Sequence, residues 1–332
     1  MTTEIKKICE ASLAEAKGIL ERGGAVAFPT ETVYGLGADA RSDEAVSAIY
    51  AIKGRPSDNP LIVHVHREYP LTELVYDERP YAAILREKFL PGPLTLVYRK
   101  KEGAVSDLVS CGLDTLAVRV PSHEGAQAFL RYTGMPIAAP SANISKHISP
   151  VSAGHVYDDL KGRIPLILEG GRCSGGIEST VCDVTGEYPV ILRAGLVSRE
   201  MICDAIGRCD VYVPKSGERV RSPGMKYKHY APKCRTMLFD ADKAGDAADE
   251  FRRRSDAGER VFVLCADALK NLFPADKVLN LGRSDEEMAA NLYELLHEGE
   301  NAADLIIAIE PEKKDGVMAG VINRLTKACA EE

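Results

Sequence analysis

The 332-residue chain has no apolar run approaching the roughly 20 residues that a bilayer-spanning helix needs. Its start, MTTEIKKICEAS, lacks the apolar stretch of a secretory signal. No membrane partner and a cytoplasmic location are the expectation. An excess of positive charge is also missing: 42 Lys and Arg face 49 Asp and Glu, a net charge of −7. A generally basic nucleic-acid coat is thereby excluded, and any polyanion must be met by a local cluster of cations. There is no C-x-x-C pair among the nine scattered cysteines. An odd, unpatterned set in a cytosolic chain reads as reduced thiols filling small apolar sites, with no zinc site and no disulfide framework. Repeats of 20 to 50 residues and low-complexity tracts are absent too.

What is present is ordinary globular composition, 45% hydrophobic and 27% charged. At this length a single core is too small a unit, so two domains are expected. Ser12 ahead of LAEAKGIL, with Gly23 and Gly24 after it, predicts an N-capped first helix with a glycine stop. Apolar runs at Ala25–Phe28, Leu61–Val65, Leu94–Tyr98, Leu116–Val120, Pro136–Ala139, Leu166–Leu168, Thr180–Val184 and Val190–Leu192 predict strands. Mixed with a few helices, they imply an α/β fold with an open, twisted sheet over residues 1–212. Residues 213–233, rich in Pro, Gly, Ser and cations, read as a linker. Over residues 234–332, MLFDA, VFVLCA, VLNLG and DLIIAIE alternate with helix-like segments, predicting a smaller Rossmann-like parallel-sheet domain.

Two glycine-rich stretches imitate nucleotide loops. YGLGADA satisfies G-x-G-x-x-A at Gly35, Gly37 and Ala40, but Pro29 to Tyr34 separate it from the preceding strand, so a dinucleotide fingerprint is not supported. The bland reading is two glycines that let backbone pack closely in a loop. Gly170–Gly176 lacks the Lys and Ser/Thr of a phosphate loop, which excludes a Walker site, although its backbone N–H groups and Ser179 remain candidates for an anion.

KGRPSDNP, Lys53 to Pro60, is the most informative stretch. Lys53 and Arg55 leave a helical pattern as Pro56 turns the chain extended, so both cations are expected in one pocket. Cations at a helix C-terminus also simply complement its dipole. Arg119 and Arg193 lie on strands, where a long cation needs solvent or an acidic partner, and His64 lies in LIVHV. Ala139-Pro140-Ser141-Ala142-Asn143 sets hydroxyl and amide groups at a strand end, a common ligand position in open α/β sheets.

Taken together, PTETVYGLG, K-x-R-P-x-x-NPLIVH, LPGPLT, VRVP, APSAN, GxxSTV-D and ILRAG resemble the YrdC-like threonylcarbamoyl-AMP synthases. SPGMKYKHYAP and the C-terminal α/β region are similar to the long, two-domain form of that family. The resemblance implies that L-threonine, bicarbonate and ATP become threonylcarbamoyl-AMP and pyrophosphate, with Mg²⁺ as companion. A downstream tRNA transferase would consume the product to modify an adenosine next to the anticodon, so any dealing with tRNA is indirect. It further implies that Lys53, Arg55, Ser141 and Asn143 serve the transferring group. Arg55, Asn59, Thr115, Ser141, Ser149, Arg193 and Tyr230 would contact ATP. Thr32, His64, Arg119, Ala139 and Ser179 would form the threonine pocket. In the linker, Met225, Tyr227, His229 and Tyr230 are interleaved with cations, which reads either as a solvated tether kept extended by its charges or as a flap that folds over the nucleotide. The alternative is a non-catalytic double-stranded RNA or tRNA-binding module, in which Lys53, Arg55 and Arg119 would face RNA phosphates.

Overall fold

A computed structural model describes residues 1–77, 79–213 and 230–330. Twelve strands form a mixed sheet: β1 Glu4–Lys7, β2 Val26–Phe28, β3 Gly35–Asp39, β4 Ile62–His64, β5 Val75–Tyr76, β6 Leu94–Lys100, β7 Thr115–Arg119, β8 Ile137–Ala138, β9 Leu166–Glu169, β10 Thr180–Asp183, β11 Val190–Arg193 and β12 Asp210–Val211. Their order is β1-β9-β2-β3-β8-β4-β7-β6-β10-β11-β12, with β5 beside β6. Four more strands, β13 Arg235–Phe239, β14 Val261–Cys265, β15 Val278–Asn280 and β16 Leu305–Ile309, form a second sheet in the order β13-β16-β14-β15, parallel throughout. The expected α/β class with one large open sheet and one small parallel sheet is what the chain adopts.

Apolar faces explain the layers. Leu13 and Leu20 of helix Glu10–Glu21 meet Phe129 and Leu130 of helix Glu124–Thr133 over Phe28, Leu166 and Leu168 of the sheet. On the other face helix Asp43–Lys53 buries Val46, Ile49 and Tyr50. At the first helix the expected cap shifts. Cys9, not Ser12, precedes the first turn, because Ser12 Oγ accepts from the Cys9 N–H at 2.9 Å and donates to Lys7 O at 2.8 Å, closing the turn from its third position.

The expectation of a loop at Gly35 and Gly37 also fails: both lie in β3, antiparallel to β2 on one side and β8 on the other. A Cβ on Gly37 would stand 2.6 Å from Ile137 Cγ2 and 2.9 Å from Phe28 Cε1, so the missing side chain is what lets Phe28 and Ile137 lie across the strand. All nine cysteines are free. Among the described residues no helix is long and apolar enough to cross a membrane. The linker residues 214–229, with Met225, Tyr227 and His229, lie outside the described residues.

Candidate active site

A cavity opens beside β3, β4, β7 and β8 and is walled by loops that precede or follow them. Arg119 ends β7 directly beside His64, the last residue of β4. The Thr30–Tyr34 loop joins β2 to β3, and Gly35 bridges to Ser141, which fixes the Pro140–Asn143 turn against β3. Ser179 and Glu178 precede β10, Arg193 ends β11, and Tyr230 completes the wall. Among the described residues its arginines are Arg55, Arg119 and Arg193, and its one carboxylate is Glu178. The local basic cluster demanded by a chain of net charge −7 is therefore here.

Each cation is anchored by part of its donor set. Arg119 donates from Nη2 to Glu31 Oε1 at 2.7 Å, from Nη1 to Thr32 Oγ1 at 2.8 Å and from Nε to Gly92 O at 3.3 Å. Thr30 Oγ1 donates to Val33 O at 2.6 Å and accepts from the Thr32 and Val33 amides at 3.1 and 3.2 Å, with the Thr32 hydroxyl 2.9 Å away. Having received Arg119, Thr32 Oγ1 keeps acceptor capacity for a ligand. Arg193 grips Ser179 through its carbonyl at 2.9 Å and its hydroxyl at 3.2 Å, and Ser179 also shares a hydrogen with Thr95 at 2.8 Å. Arg55 reaches back to Asn59 O and Pro60 O at 3.3 and 3.1 Å. Burial lowers the Arg55 pKa to about 10, which leaves it charged at neutral pH. His64 is the opposite case. Burial first, then the neighbouring Arg119 charge, push it down to about 3, so its imidazole is neutral, with Nδ1 3.2 Å from Ile62 O.

Eleven of the residues expected in the site share this wall: Arg55, Ser141, Asn143, Ser149, Arg193, Tyr230, Thr32, His64, Arg119, Ala139 and Ser179. Three do not. Lys53 and Arg55 part company, because Lys53 still belongs to the last helical turn and Gly54 reverses the chain at φ +60°. Lys53 Nζ is buried beneath the turn, bonded to Ser141 O and Asn143 O at 2.5 Å each and to Asn143 Oδ1 at 3.4 Å. All three of its hydrogens are thus spent on the chain. Asn59 is buried behind Arg55, its carbonyl taken by Arg55 Nε and the Tyr50 hydroxyl. Thr115 starts β7 and lines a separate small cavity with Val97, Leu113 and Ala117.

The anion reading of Gly170–Gly176 with Ser179 is narrowed: Ser179 lies on the wall, but some of the loop's amides are already engaged. Gly170 N donates to the Tyr34 hydroxyl at 3.1 Å, and Gly175 N donates to Glu31 O at 2.7 Å, so two of these amides hold the Thr30–Tyr34 loop. Sequence reasoning missed Glu178, which forms part of the wall, and Glu31, which secures Arg119. Acidic partners for strand arginines were called for, but the sequence does not say which of 49 acidic residues supplies them.

The Sua5/YciO/YrdC family profile, described as telomere recombination, matches residues 18–195. The profile of the threonylcarbamoyl-AMP synthase C-terminal domain matches residues 197–330. A threonylcarbamoyl-AMP synthase of Bacillus subtilis is 42% identical over 96% of this chain and 93% of its own length. One from Pyrococcus abyssi is 42% identical over 97% and 95%. The crystal structure of P. abyssi Sua5 complexed with L-threonine superimposes with a TM-score of 0.89 at 39% identity, covering 99% of this chain and 97% of that one. Escherichia coli YciO, 22% identical with a TM-score of 0.51, shares the fold over 57% of the chain.

Proposed function

The chain belongs to the threonylcarbamoyl-AMP synthase family, and on that premise we propose that its cavity joins L-threonine, bicarbonate and ATP into threonylcarbamoyl-AMP and pyrophosphate. The observation that carries this reading is the wall itself, where among the described residues three arginines stand against one carboxylate beside small hydroxyl-bearing turns. Arg119 keeps donors beyond those spent on Glu31, Thr32 and Gly92, and its forked geometry suits the threonine carboxylate. Thr32, left with acceptor capacity, suits the threonine amine, while neutral His64 and Ala139 bound the side chain without adding charge.

The amine and bicarbonate give a carbamate with loss of water, and a carbamate oxygen attacks the α-phosphorus of ATP as the bond to pyrophosphate breaks. Charge gathers on the phosphoryl oxygens and the departing pyrophosphate, so positioning and fixed cations do the work without a covalent nucleophile. Arg55 and Arg193 serve the polyphosphate, with Ser141 and Asn143 presented by the turn that Lys53 anchors. Ser149 and Tyr230 form the nucleotide side of the wall. Mg²⁺ would accompany the ATP polyphosphate. Among the described residues no group of three His, Cys, Asp or Glu side chains could hold a metal, and Glu178 and Glu31 are committed to arginines, so no step is routed through the ion. The product passes to a tRNA-modifying transferase in the cytoplasm.

Incubation with ATP, bicarbonate and L-threonine should yield threonylcarbamoyl-AMP by mass detection, dependent on all three. Salt-sensitive RNA binding without this product would instead favour the binding-module alternative.

A further inference from the structure

Glu178 is the point where the second sheet's helices reach the cavity. Arg324, on helix Met318–Ala328 and fully buried, donates from Nε to Glu178 Oε2 at 3.0 Å and from Nη1 to Ala194 O. Tyr293, on helix Asp285–Ala302 and equally buried, donates its hydroxyl hydrogen to the same Oε2 at 2.9 Å. Glycines make this approach possible. A Cβ on Gly320 would lie 3.2 Å from Gly195 Cα, and one on Gly176 would lie 2.3 Å from Ala289 O. The other carboxylate oxygen, Oε1, stands 2.6 Å from Ser149 Oγ.

An ionised carboxylate has no hydrogen to give, so in the Ser149–Glu178 contact Ser149 must be the donor. Arg324, Arg193 and the Ser149 hydrogen bond outweigh the effect of burial and hold Glu178 at about 2, which makes it a carboxylate at any physiological pH. A serine whose only hydrogen is committed can meet a ligand only as an acceptor. It therefore suits a hydroxyl or amino hydrogen and is poorly suited to a phosphate oxygen.

We propose that Arg324 and Tyr293 are positioning residues for the nucleotide: through Glu178 they turn the Ser149 hydrogen away from the cavity, so that Ser149 Oγ accepts a hydrogen bond from the nucleoside part of ATP. This rests on the reading of the cavity as an ATP site. It gives the C-terminal helices a task in substrate binding although neither residue lines the cavity.

The test compares ATP dissociation constants by calorimetry, together with KM for ATP and for threonine, in the full-length protein and in Ser149→Ala, Tyr293→Phe and the double variant. Tyr293→Phe removes one hydroxyl and leaves the ring against Tyr230, 5.3 Å away, so folding should survive. We expect each single change to weaken ATP binding about fivefold or more and to leave KM for threonine within twofold. The double variant should be no weaker than the worse single one, since both act on the same contact. Arg324→Met should weaken ATP binding in the same selective way, and circular dichroism would show whether it folds. ATP binding by Tyr293→Phe within twofold of the unmodified protein, or single effects that multiply in the double variant, would overturn the proposal alone. Failure of the unmodified protein to bind ATP would overturn the reading of the cavity and, with it, this assignment.

Discussion

Arg55 and Lys53 lie two positions apart, and in the proposed reaction they would act by different routes. Arg55 is on the wall, with only Nε and Nη2 engaged by Asn59 and Pro60, so its charge is available to a polyphosphate. Arg55→Ala should lower turnover by roughly 100-fold, about 2.7 kcal/mol, the scale of losing one fixed transition-state donor. Lys53→Ala should lower it comparably for another reason: the backbone of Ser141 and Asn143 loses the Nζ donor that pins it. Its KM values should rise as well, because the turn and not a single charge is displaced. Threonine- and bicarbonate-dependent pyrophosphate release measures both, and near-normal turnover in folded Arg55→Ala would remove that residue from the phosphate end. At this scale the sequence was partly readable. Residue types that meet a polyanion were identifiable, and eleven of those singled out share one wall. Whether Lys53 faces ligand or backbone was not readable, since it depends on the chain reversal at Gly54 and on a turn 88 residues away.

Strand β3 shows how an element's packing reaches the site. It is held on both sides, by β2 and β8, and its first residue bridges to Ser141. Gly37→Ala forces a methyl group against Ile137 and Phe28, and an overpacked position with no room to relax costs about 1–3 kcal/mol. A lowered urea midpoint with an unchanged slope is expected, accompanied by weaker threonine binding as Ala139 beyond β8 shifts. An unaltered midpoint would mean that the strand yields without cost. Most strands were visible as β-branched runs, because buried strands leave a continuous apolar signal. Strand β1, EIKK, gave no such signal because it is a mostly exposed edge whose place is set by pairing with β9, some 160 residues away. Gly35 and Gly37 misled for a related reason, as their strand character comes from the neighbours and not from their own propensity.

On the scale of the whole molecule, the contact between the two sheets' layers holds buried and partly buried titratable groups. Glu178, Arg324 and Tyr293 form one part, and His155 stacked on His297 at 3.8 Å forms another. No sequence pattern announces such pairs: Glu178 and Arg324 are 146 residues apart, and each is unremarked in its own segment. Their titration gives the contact an acid limit with a defined sign. Burial first, then the His297 neighbour, lower His155 from 6.5 to about 4, so unfolded chains bind its proton more readily, and stability falls as pH drops through that window. Glu178 is lowered from 4.5 to about 2, so the stabilisation from its ion pair is complete above 4.5 and is lost as pH falls towards 2. Urea unfolding midpoints followed from pH 8 to pH 2 should therefore fall in two stages. In His155→Gln the first stage should shrink, and in Glu178→Gln the second should, with a lower midpoint already at pH 7 because Arg324 is left buried without its counter-charge. A Glu178→Gln curve parallel to that of the unmodified protein between pH 4.5 and 2 would show that other carboxylates set the acid limit and that the Glu178–Arg324 pair contributes nothing to it.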